Sequence, residues 1–326
     1  MANLSRRDFC NLTAGTVLAA AASPLAAAER YPIRPIRLIV GFPPGGAADL
    51  VARLIGQRMS ARLGQPIVVE NQPGASGNIG TESVVRAPAN GYTLLLVTST
   101  NAINAALYGK LNFNFVDDIA AVGGISRNPF IMMINPLVPA KTVPEFIAYA
   151  RANPGKINMA SAGKGTPHHL FGELFMMTTG VTMVHVPYRG EGPALADLMA
   201  GQVQVMFTTG GPSLGYARSG KLRVLAVTSA KRLATLPDVP SLNEFVPGYE
   251  AVGWFGIGAP QGTPAEIITA LNGDVNAALA DADIKARFGQ LGIAEYSSSP
   301  GEFGKYIAAE TEKWAKVIRT ANITGS

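Results

Sequence analysis

One cysteine, three histidines and a charged fraction of 15% are what this 326-residue chain is short of. The lone cysteine, Cys10, falls in an N-terminal stretch with the marks of an export leader. Ser5-Arg6-Arg7-Asp8-Phe9 sets a twin-arginine pair before an aromatic. A short apolar run follows over residues 12–22, and Pro24 precedes Ala26-Ala27-Ala28. A charged start, a brief apolar core and an A-x-A end predict a cleavable signal over residues 1–28, taken by the twin-arginine or the general secretory route. The run is shorter than the ~20 residues a membrane span needs. Cleavage near Ala28 leaves no thiol, which excludes a disulfide, a thiolate nucleophile and a thiolate metal site. The histidines are His168, His169 and His185. The first two are adjacent, so their rings diverge on a helix, and neither a metal nor another cofactor is expected. Ser76 lies in Gly74-Ala75-Ser76-Gly77, which is not the G-x-S-x-G elbow of a serine hydrolase, so enzymatic turnover is not expected. Basic runs longer than a pair are missing too. A net charge of +5 is then a mildly basic surface with no nucleic-acid footprint.

What the chain has is 48% hydrophobic residues, set out as strand-length apolar runs alternating with helical periodicity. Residues 36–40 read as a strand that stops at Gly41-Phe42-Pro43-Pro44-Gly45-Gly46. The helix after it carries Leu50, Leu54, Ile55, Met59 and Leu63 on one face. Further strands are expected at 66–70, 94–97, 131–134, 157–160, 183–186, 203–207 and 222–227. Strand, polar turn and helix in repetition predict an α/β fold with a mostly parallel sheet flanked by helices. Thr142-Val143-Pro144-Glu145, Thr263-Pro264-Ala265-Glu266 and Ser299-Pro300-Gly301-Glu302 each carry the signature of a capping box. The last helix aligns Phe303, Tyr306, Ile307, Trp314, Val317 and Ile318 on one stripe. Two segments read as crossings between lobes, Gly123-Gly124-Ile125 outward and residues 252–258 back. The expected division is residues 31–124 plus 254–326 in one lobe and 125–253 in the other. Two crossings make a hinge and leave a cleft.

In such sheets a ligand sits beyond the carboxyl ends of the strands. One lobe places there Phe42, Pro43, Gly45 and Gly46; Ala75, Ser76, Gly77 and Asn78; and Thr98, Ser99 and Asn101. The other places Ser161, Gly163, Gly165, Thr166 and His168, then Tyr188 and Thr208. Glycine and small hydroxyls let main-chain amides approach an anion, and helices starting at such turns aim a partial positive charge at it. A small carboxylate is the expected ligand. Ser161-Ala162-Gly163-Lys164-Gly165-Thr166 lacks the spacing of a phosphate loop, which argues against a nucleotide. Asp49 is expected to serve the start of its helix, Lys164 to be a solvated charge, and His185 to be a hydrogen-bonded structural residue.

The run Gly41-Phe42-Pro43-Pro44-Gly45-Gly46-Ala47-Ala48-Asp49 resembles the opening loop of the Bug family, the periplasmic solute receptors of tripartite tricarboxylate transporters. The likeness continues through Glu70-Asn71-Gln72-Pro73-Gly74-Ala75-Ser76-Gly77-Asn78, the segment 161–168, His185-Val186-Pro187-Tyr188-Arg189-Gly190 and Gly192-Pro193-Ala194-Leu195. Thr235-Leu236-Pro237-Asp238-Val239-Pro240-Ser241 and Gly253-Trp254-Phe255-Gly256 complete it. The resemblance implies a type II-like periplasmic-binding-protein fold, a monomer, whose lobes close on a ligand carboxylate pinched between the first two loops. It further implies that the second lobe sets specificity and that the cargo passes to integral-membrane transporter subunits. One departure stands out. Many relatives carry an acid after Gly201-Gln202-Val203, then Met-Phe and Asp or Asn, where this chain has Gln204-Val205-Met206-Phe207-Thr208-Thr209. A buried ammonium needs an anionic partner, so the missing acids argue against an amino acid and for a carboxylic acid or a neutral aromatic-like acid. A sensor acting on a membrane signalling partner would need the same cleft.

Overall fold

Apolar alternation and glycine-bounded turns produce the strands where the sequence places them, in a computed structural model that describes residues 31–324 apart from Ala234. The leader expected at residues 1–28 lies outside the described residues. The strands are β1 Ile36–Val40, β2 Ile67–Asn71, β3 Thr93–Thr98, β4 Ile119–Ile134, β5 Asn158–Ser161, β6 Val184–Pro187, β7 Val205–Thr209, β8 Arg223–Val227, β9 Val252–Pro260 and β10 Ala294–Glu295. The helices are α1 Ala47–Leu63, α2 Asn78–Val85, α3 Ser99–Leu107, α4 Phe115–Asp118, α5 Val143–Ala152, α6 Pro167–Thr179, α7 Glu191–Met199, α8 Gly210–Arg218, α9 Ala265–Ala280, α10 Ala282–Leu291 and α11 Pro300–Thr320.

The strands join in the order β2-β1-β3-β9-β4-β7-β5-β6, with β8 and β10 also paired to β4. Pairing is parallel at the two ends, where β1 meets β2 and β3 and where β5 meets β6 and β7. It is antiparallel in the middle, where β9 runs against β3 and β4, and β4 runs against β7 and β8. The sheet is therefore mixed. The segments read from sequence as bare crossings are strands themselves, and a chain that leaves and returns must run both ways. Gly123-Gly124-Ile125 lies inside the 16 residues of β4, whose first part pairs with β9 and whose last part pairs with β7. The glycines here answer to crowding. A methyl at Gly256 would run into the Phe303 ring, and one at Gly124 would lie 2.5 Å from the Tyr296 ring.

Side chains alternate across β4 as a pleated strand demands. Met132 and Ile134 join Phe146, Phe171, Phe175, Phe207 and Trp314 in one core cluster, while Ile131 and Met133 join Leu195, Leu198 and Met206 in another. A third cluster gathers Ile39, Leu95, Val97, Trp254, Phe303 and Ile307. The α11 stripe thus reaches two clusters, with Phe303 and Ile307 in one and Trp314, Val317 and Ile318 in the other. Between them the buried Glu310 accepts hydrogen bonds from the indoles of Trp254 at 3.2 Å and Trp314 at 3.1 Å. Of the three expected capping boxes, Ser299 with Glu302 forms completely. Thr142 accepts from the Glu145 amide, but the Glu145 carboxylate turns to the Lys141 amide. Thr263 donates to the Pro260 carbonyl at 2.7 Å and caps nothing.

Candidate functional site

The loop after β1 is shaped by Asp49, which α1 carries in its first turn. Its buried carboxylate accepts from the Gly45 amide at 3.0 Å, the Asn71 side chain at 3.0 Å and Arg53 at 3.1 Å. Burial opposes ionisation of Asp49, but Arg53, the Gly45 amide and Asn71 together hold it below the usual carboxylate range. Asn71 also donates to the Phe42 carbonyl at 3.0 Å, which ties the end of β2 to the same loop. The sequence assigned Asp49 to the helix start; here it serves the loop as well.

The second loop presses on the first. A side chain at Gly41 would meet the Gly77 Cα at 2.8 Å, and the Phe42 ring packs beside Gly77. Ala75 and Ser76 take φ of 45° and 55°, the left-handed region that residues with a Cβ adopt at a cost of about 1–3 kcal/mol each. Strain of that kind persists where the surroundings over-determine it, and a binding loop is such a place. Ser76 is gripped from two sides. Its carbonyl accepts from Asn104 at 2.9 Å, and its hydroxyl donates to the Lys164 carbonyl at 3.3 Å. Asn104 also donates to the Asn78 side chain at 2.9 Å. The Ser76–Lys164 bond joins a loop next to β2 to a loop next to β5, so turns from opposite ends of the sheet meet. Among the described residues α1, α2, α6 and α7 begin without a side-chain cap, at Gly46, Gly77, Thr166 and Gly190.

The loop after β5 is set by histidine. Ser161 and His185 share a 2.6 Å hydrogen bond, and the Gly163 amide donates to Ser161 at 3.2 Å. Thr166 donates to the Gly163 carbonyl at 2.6 Å. The Gly165 amide donates to Nδ1 of His169, which leaves Nε2 to carry the proton toward Glu173, 3.2 Å away. His169 and His185 stack with centroids 3.7 Å apart. Burial first, then His169 and Lys164, push the His185 pKa down to about 3, so the ring is neutral near pH 7. His168 points elsewhere. Its ring meets Phe130 edge-on at 4.9 Å, and among the described residues neither ring nitrogen has a hydrogen-bond partner. Its nearest charged neighbour is Glu191, with Nε2 and Oε1 3.8 Å apart. Glu191 Oε1 accepts from the Thr208 hydroxyl and from the amide and hydroxyl of Thr209, the last two at 3.1 and 2.8 Å. Burial raises the Glu191 pKa, but His168, Thr208 and Thr209 outweigh it and bring it to about 2.

Phe42, Pro43, Gly45, Gly46, Ala75, Ser76, Gly77 and Asn78 therefore sit on two loops that touch. Ser161, Gly163, Gly165, Thr166 and His168 sit on the loop that Ser76 reaches, or on the first turn of α6. The others predicted from sequence are buried or already bonded within the protein. Thr98 and Asn101 form the capping box of α3, Asn101 bonds Thr81 at 2.8 Å, and Ser99 is buried beside them. The Tyr188 hydroxyl donates to Asp197 at 2.6 Å; burial first, then this bond, pushes its pKa up to about 12, and the Thr208 hydroxyl is engaged with Glu191. Sequence reasoning missed Asn104, Asn128 and Glu191. Asn104 lies three residues beyond Asn101 on a mostly apolar helix, a signal that was there to read. Asn128 is 8% exposed, and neither atom of its amide has a partner among the described residues. A buried polar group without a partner costs about 1–3 kcal/mol, so such a group has a use. No group of three His, Cys, Asp or Glu side chains among the described residues is arranged to hold a metal.

Residues 51–323 match the profile of the tripartite tricarboxylate transporter family receptor. Solved structures agree with it. An adipate-bound protein of R. palustris has a TM-score of 0.84 at 37% identity, over 90% of this chain and 99% of that one. The periplasmic binding protein BugD scores 0.82 at 33% identity, over 91% and 100%. Malate-bound MatC of Rhodopseudomonas palustris scores 0.81 at 31% identity, over 88% and 100%.

Proposed function

Because the chain belongs to the tripartite tricarboxylate transporter receptor family, whose members are receptors and not enzymes, we propose that it is a periplasmic receptor that shuts two lobes on a small carboxylate and delivers it to membrane transporter subunits. The lobes are residues 31–124 with 254–326, and residues 125–253. Export follows the leader at residues 1–28, by the twin-arginine or the secretory route.

The observation that carries this reading is the meeting of three glycine-rich turns through the Gly41–Gly77 approach and the Ser76–Lys164 bond. Turns next to uncapped helix starts supply amide donors and the positive end of a helix dipole, which favour a carboxylate without a dedicated arginine. The strain at Ala75 and Ser76 supports a preorganised loop. Two neighbours hold adipate and malate, and a carboxylate is what those ligands share. On this reading Phe42 to Gly46 and Ala75 to Asn78 take one end of the ligand, and Ser161 to His168 face it from the other lobe.

Thermal shift against a panel of four- to six-carbon mono- and dicarboxylates tests the reading, since a ligand held only by the folded state raises Tm. We expect at least one acid to do so. Ser76→Ala should weaken it by up to about tenfold, because it removes the hydrogen bond from Ser76 to the Lys164 carbonyl that joins the two facing turns. A flat response across the panel would refute the receptor assignment.

A further inference from the structure

We infer that Glu191 and His168 together recognise the far end of the ligand, and that this end is a neutral group able both to donate and to accept a hydrogen bond, a hydroxyl or a carboxamide. The inference rests on the receptor reading of the same crevice and names the class of acid it takes.

His168 stands in the first turn of α6, directly after the loop that Ser76 touches. It is 9% exposed, Phe130 fixes its ring, and neither nitrogen is bonded among the described residues. A buried imidazole in that state is matched to a polar group from outside the protein. Glu191 lies 3.8 Å away, too far for a direct hydrogen bond and near enough for one polar group to touch both. Its Oε1 is fixed by Thr208 and Thr209, and among the described residues its Oε2 accepts no hydrogen bond. Asn128 adds a second unpartnered polar side chain, two residues before Phe130 on the same face of β4.

Thr208 and Thr209 stand where many relatives carry Asp or Asn, yet this half of the crevice still holds a carboxylate. The carboxylate arrives from α7 and rests on those two threonines. Its low pKa keeps it ionised at neutral pH. A second free carboxylate on the ligand would face that charge in a desolvated setting, where like charges repel strongly. An ammonium would suit Glu191 but offers His168 no acceptor for an N–H. A hydroxyl or a carboxamide offers both.

Matched acids of equal length decide it. Calorimetry would compare 6-hydroxyhexanoate with adipate and 4-hydroxybutyrate with succinate, with adipate monoamide and 6-aminohexanoate alongside. The protein would be the full mature chain and its Glu191→Gln variant, which keeps an acceptor for both threonines. We expect the wild type to bind the hydroxy acid or the monoamide at least about tenfold tighter than the diacid of the same length. Glu191→Gln should close that gap by tightening the diacid. A preference for the diacid, a preference for 6-aminohexanoate, or a ratio unchanged by the substitution would overturn the inference while leaving a receptor. Absence of binding by every acid in both proteins would instead remove the receptor reading and this inference with it.

Discussion

His185 stands between a stacked histidine and a serine, and both contacts suit an uncharged ring. Burial, then His169 and Lys164, set its pKa at about 3 in the folded chain, against about 6.5 when unfolded. Below about 6.5 the unfolded chain takes up a proton that the folded chain refuses. The stabilisation is therefore whole above that pH and drains away as pH falls toward 3. With a ring this near solvent the loss is about 1–3 kcal/mol. The wild-type urea midpoint should drop between pH 7 and pH 4.5, and that of His185→Gln should drop less. Equal losses would assign the acid sensitivity to other groups. Sequence alone gave His185 a structural role because it lies in a strand pattern. It also picked out the glycines and small hydroxyls of the loops, since few other residues fit such turns. It could not find Glu191, whose partners Thr208 and Thr209 are 17 and 18 positions along the chain. Nor could it tell that Thr98 and Asn101 would bond each other.

Helix α11 ties the elements together. Its stripe was readable from the spacing of Phe303, Ile307, Trp314 and Ile318, and its start from the Ser299–Glu302 box. Which cores the stripe serves was not readable, because periodicity gives a face and no address. Glu310 occupies a position on that stripe where an apolar residue would be expected. It stays because it accepts from two buried indoles, Trp254 on β9 and Trp314 on its own helix. Glu310→Ala would strand both donors and should cost about 2–5 kcal/mol. The chain has two tryptophans, both at this junction, so fluorescence excited selectively at tryptophan reads it. The variant should shift both the emission and the urea midpoint; an unaltered midpoint would show that the junction adds nothing to stability.

At the scale of the whole molecule, β4 and β9 are the two routes between the ends of the sheet, and β4 changes register near Ala121–Gly123 and Gly124–Ser126 on its way. Interrupted pairing at the middle of two long strands is a natural place for a bend. The proposed closure would rest on contacts made between turns from opposite ends of the sheet, such as the Ser76–Lys164 bond. Solution scattering should therefore show a smaller radius of gyration with a saturating acid than without. Identical curves would leave binding intact and discard the hinge.

The order of strands and helices, the loops rich in glycine and hydroxyl, and the kinship those loops announce came from the sequence by itself. They depend on neighbours a few residues apart, where turn geometry and side-chain periodicity act. The mixed sheet, the continuity of β4 through its glycines, the inward turn of Thr98 and Asn101, and the meeting of His168 with Glu191 were settled only by tertiary structure. Each requires groups far apart in the chain to share a space, and no local pattern records which distant surface a residue will face.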